Sequence, residues 1–194
     1  MRGGAHACRP GAVGHDRGVD AHRALTDARA ALAEAAAELA ARGIPPEQLA
    51  VTVPPRRALG FISRPATMRR TGEGFLLGAI LATADGGAVD PGTILRATRQ
   101  VLPGHQAASA QERRALRQTA LDAGFREGST VVLDSRALPL ENEYAMRAER
   151  GPLVLTGDGV RVRWMPTAPD SALLPLADYL RERLDLAGGA TSVG

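Results

Sequence analysis

Phe75-Leu76-Leu77-Gly78-Ala79-Ile80-Leu81 is an uncharged run in which apolar side chains fall at odd and even positions alike. An extended chain of that composition has no wet face, so it must lie inside a sheet covered on both sides. Thr71-Gly72-Glu73-Gly74 before it and Asp85-Gly86-Gly87 after it supply the positive backbone angles that tight turns need. These marks predict a central strand over 75–83, and the rest of the chain must build a two-layer structure around it.

The helix signals are periodic. Leu25, Ala28, Leu32, Ala36 and Leu39 recur at spacings of three and four, which predicts a helix over Asp20–Arg42 closed by Gly43 and Pro45-Pro46. Ser109-Ala110-Gln111-Glu112 has the pattern of a capping box and opens a helix to Ala123, with Ala115, Leu116, Thr119 and Ala120 turned inward and Gly124 closing it. A last helix is expected from Pro175 to Leu186, with Leu176, Ala177, Leu180 and Leu184 inward.

Strands are expected at 59–63, 67–70, 93–99 and 130–133, with one helical turn at 46–49 and a short extended piece at 51–53. Pro65 suits an edge or a bend. Gly157-Asp158-Gly159 between Leu153–Thr156 and Val160–Trp164 is a hairpin signal. Its second arm puts Val160, Val162 and Trp164 on a buried face and Arg161 and Arg163 on a wet one. Residues 135–150 read as an irregular, charged connection. The whole predicts an α+β fold: a mostly antiparallel sheet of about five to seven strands against two or three helices. Residues 1–18 are expected to be a disordered tail, 19–187 a single domain and 188–194 a flexible end.

Composition removes chemistries. All 24 basic residues are Arg. Without Lys there is no Schiff base, no phosphate-loop lysine and no Ser-Lys pair. Cys8 has no partner for an internal disulfide, Met1-Arg2-Gly3-Gly4 leads into no apolar signal segment, and no membrane span is visible, so a cytoplasmic protein is expected. Cys8, His6 and His15 match no common metal spacing, and neither metal nor cofactor is expected. Only His105 and Ser109, four apart, could be drawn as a base and nucleophile, and the capping role already accounts for Ser109.

Charge is uneven: residues 56–117 carry ten Arg against four acids, and residues 118–194 carry eight Arg against eleven acids. Internal attraction between the two halves is the simpler reading. The functional alternative rests on Arg69, Arg70, Arg96 and Arg99, which flank the central strand. Guanidinium groups clasp carboxylates and phosphates in a bidentate manner, so a protein partner or a small anionic ligand could dock there. Aromatic residues do not interleave with these Arg, which disfavours a nucleic-acid surface.

Gly74-Phe75-Leu76-Leu77-Gly78-Ala79-Ile80-Leu81, then Leu95-Arg96-Ala97, Ser109-Ala110-Gln111-Glu112-Arg113-Arg114 and Leu174-Pro175-Leu176-Ala177-Asp178-Tyr179-Leu180, resemble a group of small proteins from GC-rich actinobacteria. Their function is unassigned, and some carry the label glutaminase. The label implies release of ammonia from glutamine. Serine-type glutaminases use Ser-x-x-Lys, which this chain lacks, and Cys8 is on no strand-to-helix elbow, so no catalytic position carries across. Sequence alone therefore favours a non-catalytic binding domain, with a glutaminase-like amidohydrolase as the alternative.

Overall fold

The computed structural model describes residues 15–58, 62–99, 108–148 and 150–191. Their order is α1 His15–Ala41, β1 Glu47–Val53, β2 Arg56–Ala58, β3 Ile62–Arg64, β4 Thr67–Leu77, β5 Ile80–Ala82, β6 Ala88–Asp90 and β7 Thr93–Arg96. There follow α2 Ala108–Asp122, β8 Thr130–Leu133, β9 Arg136–Ala137, α3 Glu143–Ala148, β10 Leu153–Thr156, β11 Gly159–Val162, β12 Leu174–Pro175 and α4 Leu176–Thr191. A seven-stranded, mostly antiparallel sheet, a three-stranded sheet and a two-stranded pair stand with four α-helices, so the fold is α+β. No helix among the described residues is long and apolar enough to cross a membrane.

The apolar run is not one strand. Leu77 pairs with Ile80, so Gly78-Ala79 is a two-residue turn that folds the run back on itself as β4 and β5. Gly78 takes a φ of 70°, the left-handed backbone that the first position of such a turn reserves for glycine. Conversely, 71–74 is no turn. It lies within β4, where the register against β1 shifts between Leu49 and Ala50, a β-bulge. Residues 46–49 also differ from expectation, since Glu47–Leu49 begin β1. Helix-forming side chains yield there to a strand paired on both edges, with β4 and with β8.

The sheet closes into a ring. β6 meets β9 at Val89↔Ala137 and Asp90↔Arg136, and β7 meets β8 at Thr93↔Leu133 and Arg96↔Thr130. One unbroken register covers all four pairs, so β6–β7 and β8–β9 are two bent strands running antiparallel through a common corner. Asp134 turns that corner with a φ of 54°. Its carboxylate accepts from the Thr52 amide at 2.8 Å and the Thr52 hydroxyl at 2.7 Å. β8 pairs in parallel with β1, completing the circuit β1–β4–β5–β6/β7–β8–β1. An open slab flanked by helices is thus replaced by a small barrel.

Burial follows from closure. Leu49, Leu81, Val89 and Val132, with Leu76 against them, form a separate apolar cluster of cross-strand neighbours. Leu81 and Val132 have no exposed surface, although no helix contributes to that cluster. They fill the ring's interior. On the outer face Ala50, Met68, Leu95, Val131 and Leu133 pack against Ala120 of α2 and Phe125. Phe75, Leu77, Ile80 and Ala82 pack with Leu25, Leu32 and Leu39 of α1 and with Tyr179 and Leu180 of α4.

Both long helices with predicted glycine stops end that way. Gly43 and Gly124 have φ of 72° and 84°. Ile44 and Phe125 then donate back to Leu39 and Ala120, each at 3.1 Å, and fold an apolar side chain over the last turn. Other boundaries move. α1 begins at His15, inside the segment expected to be a tail, and α4 continues to Thr191 through Gly188-Gly189. Arg42 holds that last stretch, donating to the Leu184 carbonyl and pairing with Glu38. Residues 135–150 contain β9 and α3, because β6 offers an edge to pair and Met146 a side chain to bury. Ala115 is exposed, leaving Leu116, Thr119 and Ala120 on the inner stripe.

The hairpin β10–β11 forms with Gly157-Asp158 as its turn. Val160 and Val162 are buried, whereas Trp164 lies past the strand and is 45% exposed. Arg163, expected to be wet, is largely covered. Its guanidinium donates to the Ala168 carbonyl and, at 2.7 Å, to Asp170, clamping the loop between them.

Candidate functional site

Sequence reasoning nominated Arg69, Arg70, Arg96 and Arg99, and the structure separates them. Arg69 and Arg70 are consecutive on β4 and so point to opposite faces. Arg70 lies on the outer face with its guanidinium 5.1 Å from the centre of the Phe125 ring, a cation–π contact that anchors it to the end of α2. Arg69 is exposed on the other face, across from Val51. Arg96 sits at the far end of β7 across from Thr130, and Arg99 is paired with Glu127 at 3.4 Å. The last contact is one case of the expected attraction between the basic middle and the acidic end. Ser109 lies in the first turn of α2, one residue past its start, and is exposed; His105 lies outside the described residues. Among the described residues no group of three or more His, Cys, Asp or Glu is placed to hold a metal ion.

The pairing brings a different set together. Thr67 pairs with Val53 and Arg70 with Ala50; Arg64 pairs with Arg56 and Ile62 with Ala58. These pairs keep one register, symmetric about position 60, so β1–β2 and β3–β4 are the two sides of one long ribbon. Proline interrupts both sides at the same level, Pro54-Pro55 facing Pro65-Ala66, where a missing amide breaks the ladder and permits a bend. Among the described residues, no third strand joins the ribbon beyond Ala50, where β8 stops. From Ala50 to Ala58 it reaches roughly 26 Å.

Its charge is one-signed. Between Glu47 and Glu73 the chain holds Arg56, Arg57, Arg64, Arg69 and Arg70 and no acidic residue. The two glutamates mark the root: Glu47 accepts from the Leu76 amide at 2.9 Å, and Gln48 reaches Glu73. The register also sets Arg56 directly opposite Arg64. Like charges opposed across a ladder destabilise a ribbon by a few tenths of a kcal/mol to about 1 kcal/mol. Neither Arg69 nor Arg70 is ion-paired with a described acid. The base of the ribbon carries a concavity of about 470 Å³ lined by Val51, Val53, Pro54, Pro65, Thr67 and Arg69.

Two larger concavities lie elsewhere. One, of about 820 Å³, lies beside α1 at the β10–β11 turn. Asp158 in that turn is held well below the usual carboxylate range by hydrogen bonds from Arg161 and Thr156. The other, of about 790 Å³, lies under the Arg163–Asp170 clamp beside Trp164. Arg23 pairs with Asp27 in the first, and Arg163 with Asp170 in the second. Along the ribbon the sequence supplies Arg without acids between Glu47 and Glu73.

Comparison with protein-family models, with curated proteins and with solved structures returns no match. Function has to be argued from this geometry alone.

Arg56, Arg57 and Arg64 escaped the sequence reading. They enter the charge count, but Pro65 separates the expected strands 59–63 and 67–70, so no register joins them to Arg69 and Arg70. The usable signal is partial symmetry: Pro55 with Pro65 and Arg56 with Arg64 fall at equal distances on either side of position 60.

Proposed function

We propose that this chain is a binding domain for an anionic partner and that the ribbon of β1–β4 is the surface that takes it. The observation that carries the reading is the run of five Arg without an acid between Glu47 and Glu73, on paired strands whose register opposes Arg56 to Arg64. Like charges opposed across a ladder are relieved by an anion placed between them.

The test is retention on immobilised heparin by the full chain. Arg57→Glu/Arg64→Glu is expected to elute at markedly lower salt than the wild type while keeping its melting temperature and circular dichroism. Equal elution of the two folded proteins would remove the ribbon from the proposal. Arg96→Glu, on the far end of β7, serves as the control with the same loss of positive charge per site and little expected change.

A further inference from the structure

Independently of the ribbon, we infer that the concavity of about 790 Å³ beside Trp164 is a binding site for a small planar aromatic carboxylate. Its size is that of a small-molecule site, and it shares no residue with β1–β4. The charges on its wall do not cancel once their partners are counted. Asp90 is taken by Arg136 at 3.2 Å, and Asp170 by Arg163 at 2.7 Å. Arg163 is further committed to the Ala168 carbonyl. Arg150 lines the same cavity and has neither an ion pair nor a hydrogen bond with a described residue. Its charge reaches Asp170 and helps keep that carboxylate ionised, so its guanidinium stands on the Asp170 side of the cavity. A guanidinium presents a fork of N–H donors that a carboxylate fills with two parallel bonds. One spare cation calls for one anionic group.

The rest of the wall is apolar and held in place. Trp164 is half-exposed there, with Pro91, Pro152, Pro166 and Pro169 around it. Proline has no amide N–H, so these residues add apolar surface without adding donors. An open indole face in a proline-lined slot takes a flat ring by stacking. The loop that carries Trp164 is ordered before any ligand arrives. The Arg163 side chain ties it at Ala168 and Asp170, the Arg163 amide donates to the Pro152 carbonyl at 2.8 Å, and the Ala168 amide donates to the Met165 carbonyl at 2.9 Å. Ala79, on the same wall, belongs to the β4–β5 turn, and its amide donates to the Tyr179 hydroxyl at 2.8 Å. A site fixed in this way loses little affinity to ordering itself. A cationic ring would reach Asp90 and Asp170 only by displacing Arg136 and Arg163. The concavity beside α1 has no aromatic residue on its wall and does not offer the same pairing of ring and charge.

Trp164 is the only Trp of the chain, so its emission reports on this cavity alone. The experiment titrates the full chain with 2-naphthoate, followed by calorimetry and by tryptophan emission. The corresponding naphthylmethanol, naphthylmethylamine and naphthyl phosphate keep the ring and change the charge, and cyclohexanecarboxylate keeps the charge without the aromatic face. Naphthoate is expected to bind at one equivalent and to change the emission. It should bind about tenfold tighter than the alcohol or the amine, and about three- to tenfold tighter than cyclohexanecarboxylate. Arg150→Gln is expected to lower naphthoate to the level of the alcohol while leaving the alcohol unchanged, which a misfolded variant would not do. Trp164→Leu, read by calorimetry, is expected to remove the preference for naphthoate over cyclohexanecarboxylate. Arg57→Glu/Arg64→Glu should bind naphthoate as the wild type does. Equal affinity for naphthoate and the alcohol, or tighter binding of the amine, overturns the anionic assignment. Tighter binding of the phosphate overturns the choice of a carboxylate. Binding that leaves the emission unchanged or ignores Arg150→Gln overturns the site, and so does no binding up to about 1 mM. None of these outcomes bears on retention by heparin, so this site and the ribbon stand or fall separately.

Discussion

The Tyr179 hydroxyl on α4 donates to the Leu77 carbonyl at 2.7 Å and accepts from the Ala79 amide at 2.8 Å. One buried oxygen thus satisfies both ends of the turn joining β4 to β5, and it ties the last helix to the barrel across about a hundred residues of chain. Gly78 completes the fit, because a β-carbon there would come within 2.5 Å of the same hydroxyl. Tyr179→Phe strands two backbone groups and is expected to cost about 1–3 kcal/mol of stability. Gly78→Ala adds left-handed backbone strain of about 1–2 kcal/mol and pushes the hydroxyl out of place. Urea denaturation of the two variants and the wild type checks both.

Two glycines on β4 should respond in opposite ways. A β-carbon on Gly74 would meet Leu81 Cδ2 at 2.1 Å and the Ala82 carbonyl at 2.7 Å, whereas on Gly72 the nearest atom is Leu49 Cδ1 at 3.8 Å. Gly74→Ala is expected to destabilise by about 1–3 kcal/mol, the cost of overpacking. Gly72→Ala is expected to be neutral or mildly stabilising, since alanine restricts the unfolded chain. Equal melting temperatures for the two would contradict the closeness of β4 and β5.

Closure of the sheet is testable by truncation. Leu81 is fully buried without help from a helix, so Leu81→Ala is expected to cost about 2–5 kcal/mol, the range for an enclosed core site. Ile94, on β7 and 48% exposed, should lose less than about 1 kcal/mol as Ile94→Ala. Were the sheet open, Leu81 would face water and the two losses would converge.

Acid sensitivity should trace to the C-terminal ion pairs. Arg163 holds Asp170 below the usual carboxylate range, and Arg161 with Thr156 does the same to Asp158. A depressed native pKa contributes stability above the unfolded value, near 3.9, and that contribution disappears as pH falls through the native value. Asp158→Asn/Asp170→Asn should therefore be less stable than wild type at pH 7, with the gap narrowing below about pH 4. Chemical denaturation across pH 2–7 reads it directly.

Elements specified by neighbouring residues were legible in the sequence. The α1 stripe, the Gly124–Phe125 stop, the β10–β11 hairpin, β7 and β8 all stand where spacing or turn chemistry put them. Other features depend on partners far away along the chain. Glu47–Leu49 carry helix-forming side chains, and only pairing with Gly72–Gly74 on one edge and Val131–Val132 on the other makes them a strand. Gly78 is a single residue inside an apolar run, and nothing local distinguishes a turn glycine from a strand glycine. Arg163 reads as a wet strand position until the loop to Asp170 folds over it. The candidate site was half visible for the same reason. Arg69 and Arg70 sit beside the conspicuous apolar run, while Arg56, Arg57 and Arg64 join them only through a register that spans the ribbon.

The parallel seam between β1 and β8 joins residues 83 positions apart, and no other pairing of the ring joins residues so distant in sequence. Bringing those ends together carries the largest entropic charge and returns contacts only once the intervening hairpins exist. The ring is therefore expected to zip from its antiparallel hairpins and to latch last at Gln48–Ala50. Substitutions along that latch should accelerate unfolding far more than they slow refolding, so the moment of closure sets how long a molecule of this protein stays shut.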